Sequence, residues 1–191
     1  MMASIGHNNG PAMERGHTWR SYQWRRAQQK LMPNTIPLMI VRMRVRRAAE
    51  LGLDYKTYAS IRQTSGQDIM GLLFSSNALR IMANGAKMPE DRNRALEAIK
   101  SAQKLSLVHR PVRPEDALAA NPVIDATEAA PLFTDSWSDM RARLQSFMRA
   151  RRLPGNQVLV IGDAPLEDSW TAAAKAGGYV SADQYFDQRA G

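Results

Sequence analysis

Past Gly66 the chain alternates short apolar runs with amphipathic stretches, and no other feature restricts its fold as much. The runs at Ile69–Ser75, Leu105–His109, Gln157–Gly162 and Tyr179–Ser181 have the length of strands. Between them, Pro89–Ala102, Ser136–Arg152 and Pro165–Ala176 read as helices. Strands separated by helices pair in parallel, because a parallel connection has to cross back over the sheet. The expectation is an α/β domain over residues 66–191, with a small, mainly parallel sheet flanked by helices. Residues 111–131 carry four prolines and many alanines. They read as a long connection with one short strand at Val123-Ile124.

A chain of 191 residues accommodates one such domain and an appendage. Residues 1–14, rich in Gly, Asn and small side chains, read as a flexible tail. Residues 15–65 read as a basic helical arm. Its first helix runs from His17 to Leu31 and is stopped by Pro33. A second starts near Thr35 and Pro37, with Leu38, Val41, Val45, Ala48 and Gly52 as its packing stripe. Charge separates the parts as well. Residues 1–62 hold eleven Lys/Arg against three Asp/Glu, a net of +8, whereas residues 63–191 hold fifteen of each. An excess crowded onto one segment points to a polyanion, an acidic protein or a membrane surface. No apolar run reaches the roughly 18 residues of a spanning helix, and the first residues lack the pattern of a signal peptide. With no cysteine in the chain, thiolate metal sites and disulfides are excluded, and a cytoplasmic location is expected.

Within the arm, Arg46–Arg62 resembles a helix-turn-helix element. Ala48, Leu51, Gly52, Leu53, Tyr58 and Ile61 supply the small, turn and inward-facing positions. The resemblance implies that Lys56, Thr57, Ser60 and Arg62 lie on or beside a second helix able to reach phosphates or base edges. Arg42, Arg44, Arg46 and Arg47 extend the basic surface. Trp19 and Trp24, set among Arg20, Arg25 and Arg26, can stack on bases. Local physics offers another reading: Gly52 closes the helix in a left-handed cap, the following helix packs on the sheet, and the tryptophans anchor the arm.

The stretch Val158-Leu-Val-Ile-Gly-Asp-Ala-Pro-Leu-Glu-Asp168 runs from an apolar strand into three carboxylates. It is similar to the fourth motif of the haloacid-dehalogenase-like superfamily, a strand ending in Gly-Asp with a second carboxylate shortly after. That resemblance implies magnesium on Asp163 and Asp168, and phosphate on Ser76 in Leu72-Leu-Phe-Ser-Ser-Asn77. The Asp-x-Asp nucleophile motif of that superfamily occurs nowhere in the chain. By local rules alone, Glu167 and Asp168 occupy the first turn of a helix, where carboxylates favour the exposed N–H groups, and Pro165 fits the same start. His7, His17 and His109 are scattered, with His109 a packed or surface residue, and no phosphate-cradling loop or serine-hydrolase motif is present. The expectation is therefore a non-enzymatic binding or regulatory protein, needing no cofactor, whose arm contacts nucleic acid or an acidic protein. The alternatives are a magnesium-dependent phosphate-binding or phosphotransfer protein and an adaptor or assembly subunit.

Overall fold

The computed structural model describes residues 36–187. Five strands, β1 (Gly71–Ser75), β2 (Gln103–Val108), β3 (Ala126–Ala129), β4 (Val158–Gly162) and β5 (Gly178–Ser181), form one sheet. All pair in parallel, in the order β3-β2-β1-β4-β5. The helices are α1 (Leu38–Leu51), α2 (Tyr55–Ser65), α3 (Glu90–Glu97), α4 (Pro114–Ala120), α5 (Trp137–Ala150), α6 (Ser169–Ala174) and α7 (Ala182–Asp187). No helix among the described residues is long and apolar enough to cross a membrane.

The two central strands are near-continuous apolar runs because both of their faces are covered. Successive side chains point to opposite faces. Leu72, Phe74, Leu159 and Ile161 join one core with residues of α1, α2, α3, α4 and α7. Leu73, Val158 and Val160 join the other, under α5 and α6. The chain steps outward from β1 to β3 and then returns to the far side of β1 to lay down β4. The strand order thus reverses between β1 and β4, and the carboxyl ends of those strands are where open α/β sheets hold ligands.

Several expectations are corrected. Residues 42–65 of the expected arm lie in the unit Arg42–Gly191, the other unit being Met1–Val41. The physical reason is burial: Ala48, Leu51, Leu53, Tyr58 and Ile61 belong to the same core as Leu72 and Phe74. Of the first unit only residues 36–41 are described, where the Pro37 carbonyl accepts from the N–H groups of Ile40 and Val41. Along α1 the buried residues are Ala48 and Leu51, whereas Leu38 and Val45, expected in the packing stripe, are 65% and 47% exposed.

The Pro/Ala-rich connection contains a helix and a strand in a different place. Pro114 opens α4 in the first helical turn, with Glu115 and Asp116 beside it. Asn121 ends it, its amide bonding Ala86 O and Ala117 O while its oxygen accepts from Met88 N. Pairing of β3 begins when Asp125 exchanges bonds with Lys104, its N–H donating to Lys104 O and its carboxylate accepting from Lys104 N. The strand therefore follows Asp125 and does not lie at Val123-Ile124. Finally, α6 starts at Ser169, not at Pro165, and α7 follows the last strand directly.

Candidate functional sites: a strand-end carboxylate and a cationic helix face

Where β4 ends, Gly162 leaves room that no other residue can: a Cβ there would lie 2.7 Å from Oε2 of Glu167. Glu167 folds back into that space and is 1% exposed. Its Oε2 accepts from Asp163 N at 2.6 Å and Ala164 N at 3.2 Å. Its Oε1 accepts from Asn77 Nδ2 at 2.8 Å and lies 2.8 Å from His109 Nε2. The Ser75 hydroxyl also bonds to it. One carboxylate thus ties together the ends of β1, β2 and β4, the three strands at the topological switch.

Burial pushes the Glu167 carboxyl up, but the bonds from His109, Ser75 and the Asp163 and Ala164 amides outweigh it and hold the group below its ordinary value of 4.5. An ionised Glu167 only accepts, so the proton of a neutral His109 sits on Nε2 and Nδ1 is an acceptor. The imidazole stacks on Trp170 with centroids 5.5 Å apart. At the outer edge Arg80 Nη1 bonds Asp163 Oδ2 at 3.0 Å. The Asp163, Asp168 and Glu167 charges surround Tyr179, whose hydroxyl is pushed up by burial first and then by Glu167, Asp168 and Asp163.

A group whose folded value is depressed stabilises the fold above its unfolded value and loses that contribution as it is protonated. Stability should therefore fall as pH drops below about 4.5 through the folded value of Glu167. Urea midpoints measured from pH 6 to pH 3 should decline more steeply in the wild type than in Glu167→Gln, which has no carboxyl to titrate. Equal slopes would remove Glu167 as the cause.

The residues expected to hold magnesium and phosphate are placed at this edge, and two of the three, Ser76 and Asp163, already bond other groups. Ser76 is 1% exposed, and its Oγ accepts from His109 N at 3.1 Å. Asp163 faces the guanidinium of Arg80, which opposes a divalent cation beside it. Asp168 is exposed in the N-cap position of α6 without capping through its side chain. Among the described residues no group of three or more His, Asp or Glu side chains is placed to hold a metal. The N–H groups of Asp163 and Ala164, donors that a phosphate would use, are already taken by Glu167. The arrangement does not fit a magnesium–phosphate centre. Local reading of the sequence put Glu167 in a helix turn and missed Asn77, Arg80 and Trp170; the available signal was a glycine five residues before a carboxylate at a strand end.

The basic residues divide sharply. Arg47 is withdrawn, its side chain 14% exposed. Its Nε bonds Asp68 at 3.1 Å, Nη1 bonds Glu50 and Lys100 O, and Nη2 bonds Ile69 O and Ser101 O. Arg62 is half-buried, bonding the Tyr58 hydroxyl and pairing with Asp68 at 3.6 Å. Arg44 is half-buried. Arg42 and Lys56 are exposed, and Arg46 is 84% exposed in a pair with Glu50 one turn on, an interaction of the kind worth about 0–1 kcal/mol. Trp19 and Trp24 lie outside the described residues.

The helix-turn-helix resemblance falls on α1 and α2, joined by Gly52, at φ 73°, Leu53 and Asp54. Asp54 caps α2 through Thr57 N. The inward face of α2, Tyr58 and Ile61, is buried in the core, and Ile61 reaches Gly178 at the start of β5. Lys56 and Ser60 face out.

No family model, curated protein or solved structure matches this chain. The functional reading rests on its own residues.

Proposed function

We propose that the protein is a non-enzymatic nucleic-acid-binding protein, with the outward face of α1 as a contact surface. The observation that carries the reading is the position of Arg42 and Arg46, one turn apart on the exposed side of α1, while Arg47 serves the fold. Met43 and Val45, 64% and 47% exposed beside them, add apolar area that the core does not use. Lys56 adds an exposed cation on α2. Cations that neutralise phosphates release condensed counterions, so binding of this kind weakens steeply with salt.

The test is a salt titration of binding to single- and double-stranded oligonucleotides. The wild type should bind at low salt, and Arg42→Gln with Arg46→Gln should flatten the plot of log affinity against log salt by about two, one for each phosphate no longer neutralised. Absence of binding at low salt refutes the reading. Binding of an acidic protein in place of nucleic acid, or assembly into a larger complex, would transfer the same face to a different partner. The magnesium-dependent alternative has only the Gly162-Asp163 sequence at the end of β4 in its favour; magnesium-dependent turnover of a phosphate ester, abolished in Asp163→Asn, would establish it against the geometry described above.

A further inference from the structure

The body beyond residue 62 is neutral in sum, but three of its cations gather at one edge of the sheet. In a parallel sheet every strand begins at one edge, and the helices that connect the strands end there. Arg149 closes α5, Arg152 follows it and Lys175 caps α6, all three exposed. None of the three is in an ion pair among the described residues, in contrast with Arg47 and Arg143. Cations at helix C-termini complement the helix dipole, which by itself accounts for charge but not for conformation.

The conformation is the second observation. Arg152 and Lys175 both have left-handed backbones, at φ 58° and 54°, where a side chain is disfavoured and glycine is the usual occupant. The two helix ends meet through Gly155, three residues beyond Arg152, where a Cβ would lie 2.6 Å from Lys175 O. Two adjacent helix ends thus place long cationic side chains where the fold itself would prefer none. Strain of this kind points to a use outside stability.

We infer that the amino edge of the sheet, around Arg149, Arg152 and Lys175, is a second nucleic-acid surface that grips the sugar-phosphate backbone. The inference rests on the nucleic-acid reading above but concerns a different face of the molecule. Phosphates require only positioned cations. A lipid surface would want apolar side chains to insert, and Met70, 42% exposed, is the large exposed apolar residue that the strand starts offer. The core of a protein interface would want aromatic anchors. Asp125, the carboxylate at the start of β3, is turned onto Lys104 N and does not neutralise the three cations.

The experiment uses the full chain and a double-stranded oligonucleotide in a salt titration. Arg149→Gln, Arg152→Gln and Lys175→Gln together should flatten the salt dependence by about three and weaken binding at fixed salt on the order of tenfold or more. Arg152→Gly and Lys175→Gly supply the readout that a structural role would not give: they should raise the melting temperature while weakening binding, because glycine relieves the left-handed backbone. Unchanged binding with a lower melting temperature means that the cations only cap their helices, and overturns the inference. Binding insensitive to the triple variant and to both glycine variants but abolished in Arg42→Gln/Arg46→Gln overturns it and leaves the α1 reading standing. No binding by the wild type overturns both.

Discussion

Glu167→Ala should lower the free energy of unfolding by about 3–5 kcal/mol, the range for removing one partner from a buried charged network. The cavity is small, but the donors left behind are many. The Asp163 and Ala164 N–H groups, the Asn77 amide and His109 Nε2 all lose their acceptor at once, where the Glu167 that served them is 1% exposed. Because those donors belong to three strands, the change should loosen the carboxyl edge of the sheet as a whole. Glu167→Gln keeps the shape and one acceptor oxygen but turns an NH2 group toward donors, so a smaller decrease of about 1–3 kcal/mol is expected. Urea unfolding at pH 7 measures both. A decrease below about 1 kcal/mol in the alanine variant would mean that the carboxylate is not what joins the strand ends.

Arg47→Ala should cost about 3 kcal/mol, although nothing in the local sequence separates Arg47 from its neighbours. Its guanidinium reaches the Asp68 and Glu50 carboxylates and the carbonyls of Ile69, Lys100 and Ser101. It thereby connects α1 to the segments that lead into β1 and β2. A planar fork with five donors suits this geometry, and an ammonium cannot span it, so Arg47→Lys should recover only part of the stability. Arg42→Ala and Arg46→Ala, being exposed, should change it by no more than about 0.5 kcal/mol. The same four variants assayed for nucleic-acid binding should show the opposite order at equal folded fraction, with Arg42 and Arg46 mattering and Arg47 not. A destabilisation in Arg42→Ala that matches Arg47→Ala would erase the division between structural and surface arginines.

The legible part of the fold is the part governed by periodicity. The strands at residues 71–75, 103–108, 158–162 and 178–181 and the long helix at 137–150 appear where hydrophobic pattern places them. The Ser136 cap of α5 shows why, since it satisfies Asp139 N within the same turn and needs no distant partner. The missed pieces depended on distant partners. In the Pro/Ala-rich connection a proline at the first helical position was a valid start signal, but Asn121 and Asp125 set the limits of α4 and β3 by bonding residues 86, 88 and 104. The packing of residues 48–61 was hidden for the same reason: Leu51 and Tyr58 look like any amphipathic helix residues until Phe74 and Tyr185 are placed in the same core.

Sequence alone determined the parallel α/β class, the positions of most elements and the concentration of positive charge before residue 63, because hydrophobic spacing and charge are properties of the chain itself. Tertiary structure decided which charges remain on the surface and which hold the molecule together. Arg46 and Arg47 differ by one position, and the helical rotation of about 100° between them sends one to solvent and the other into five acceptors. Asp163 and Glu167 differ by four, and only the open side of Gly162 draws the second into the sheet. Such outcomes depend on how far apart the backbone places groups that are distant in sequence, and that distance is set by packing.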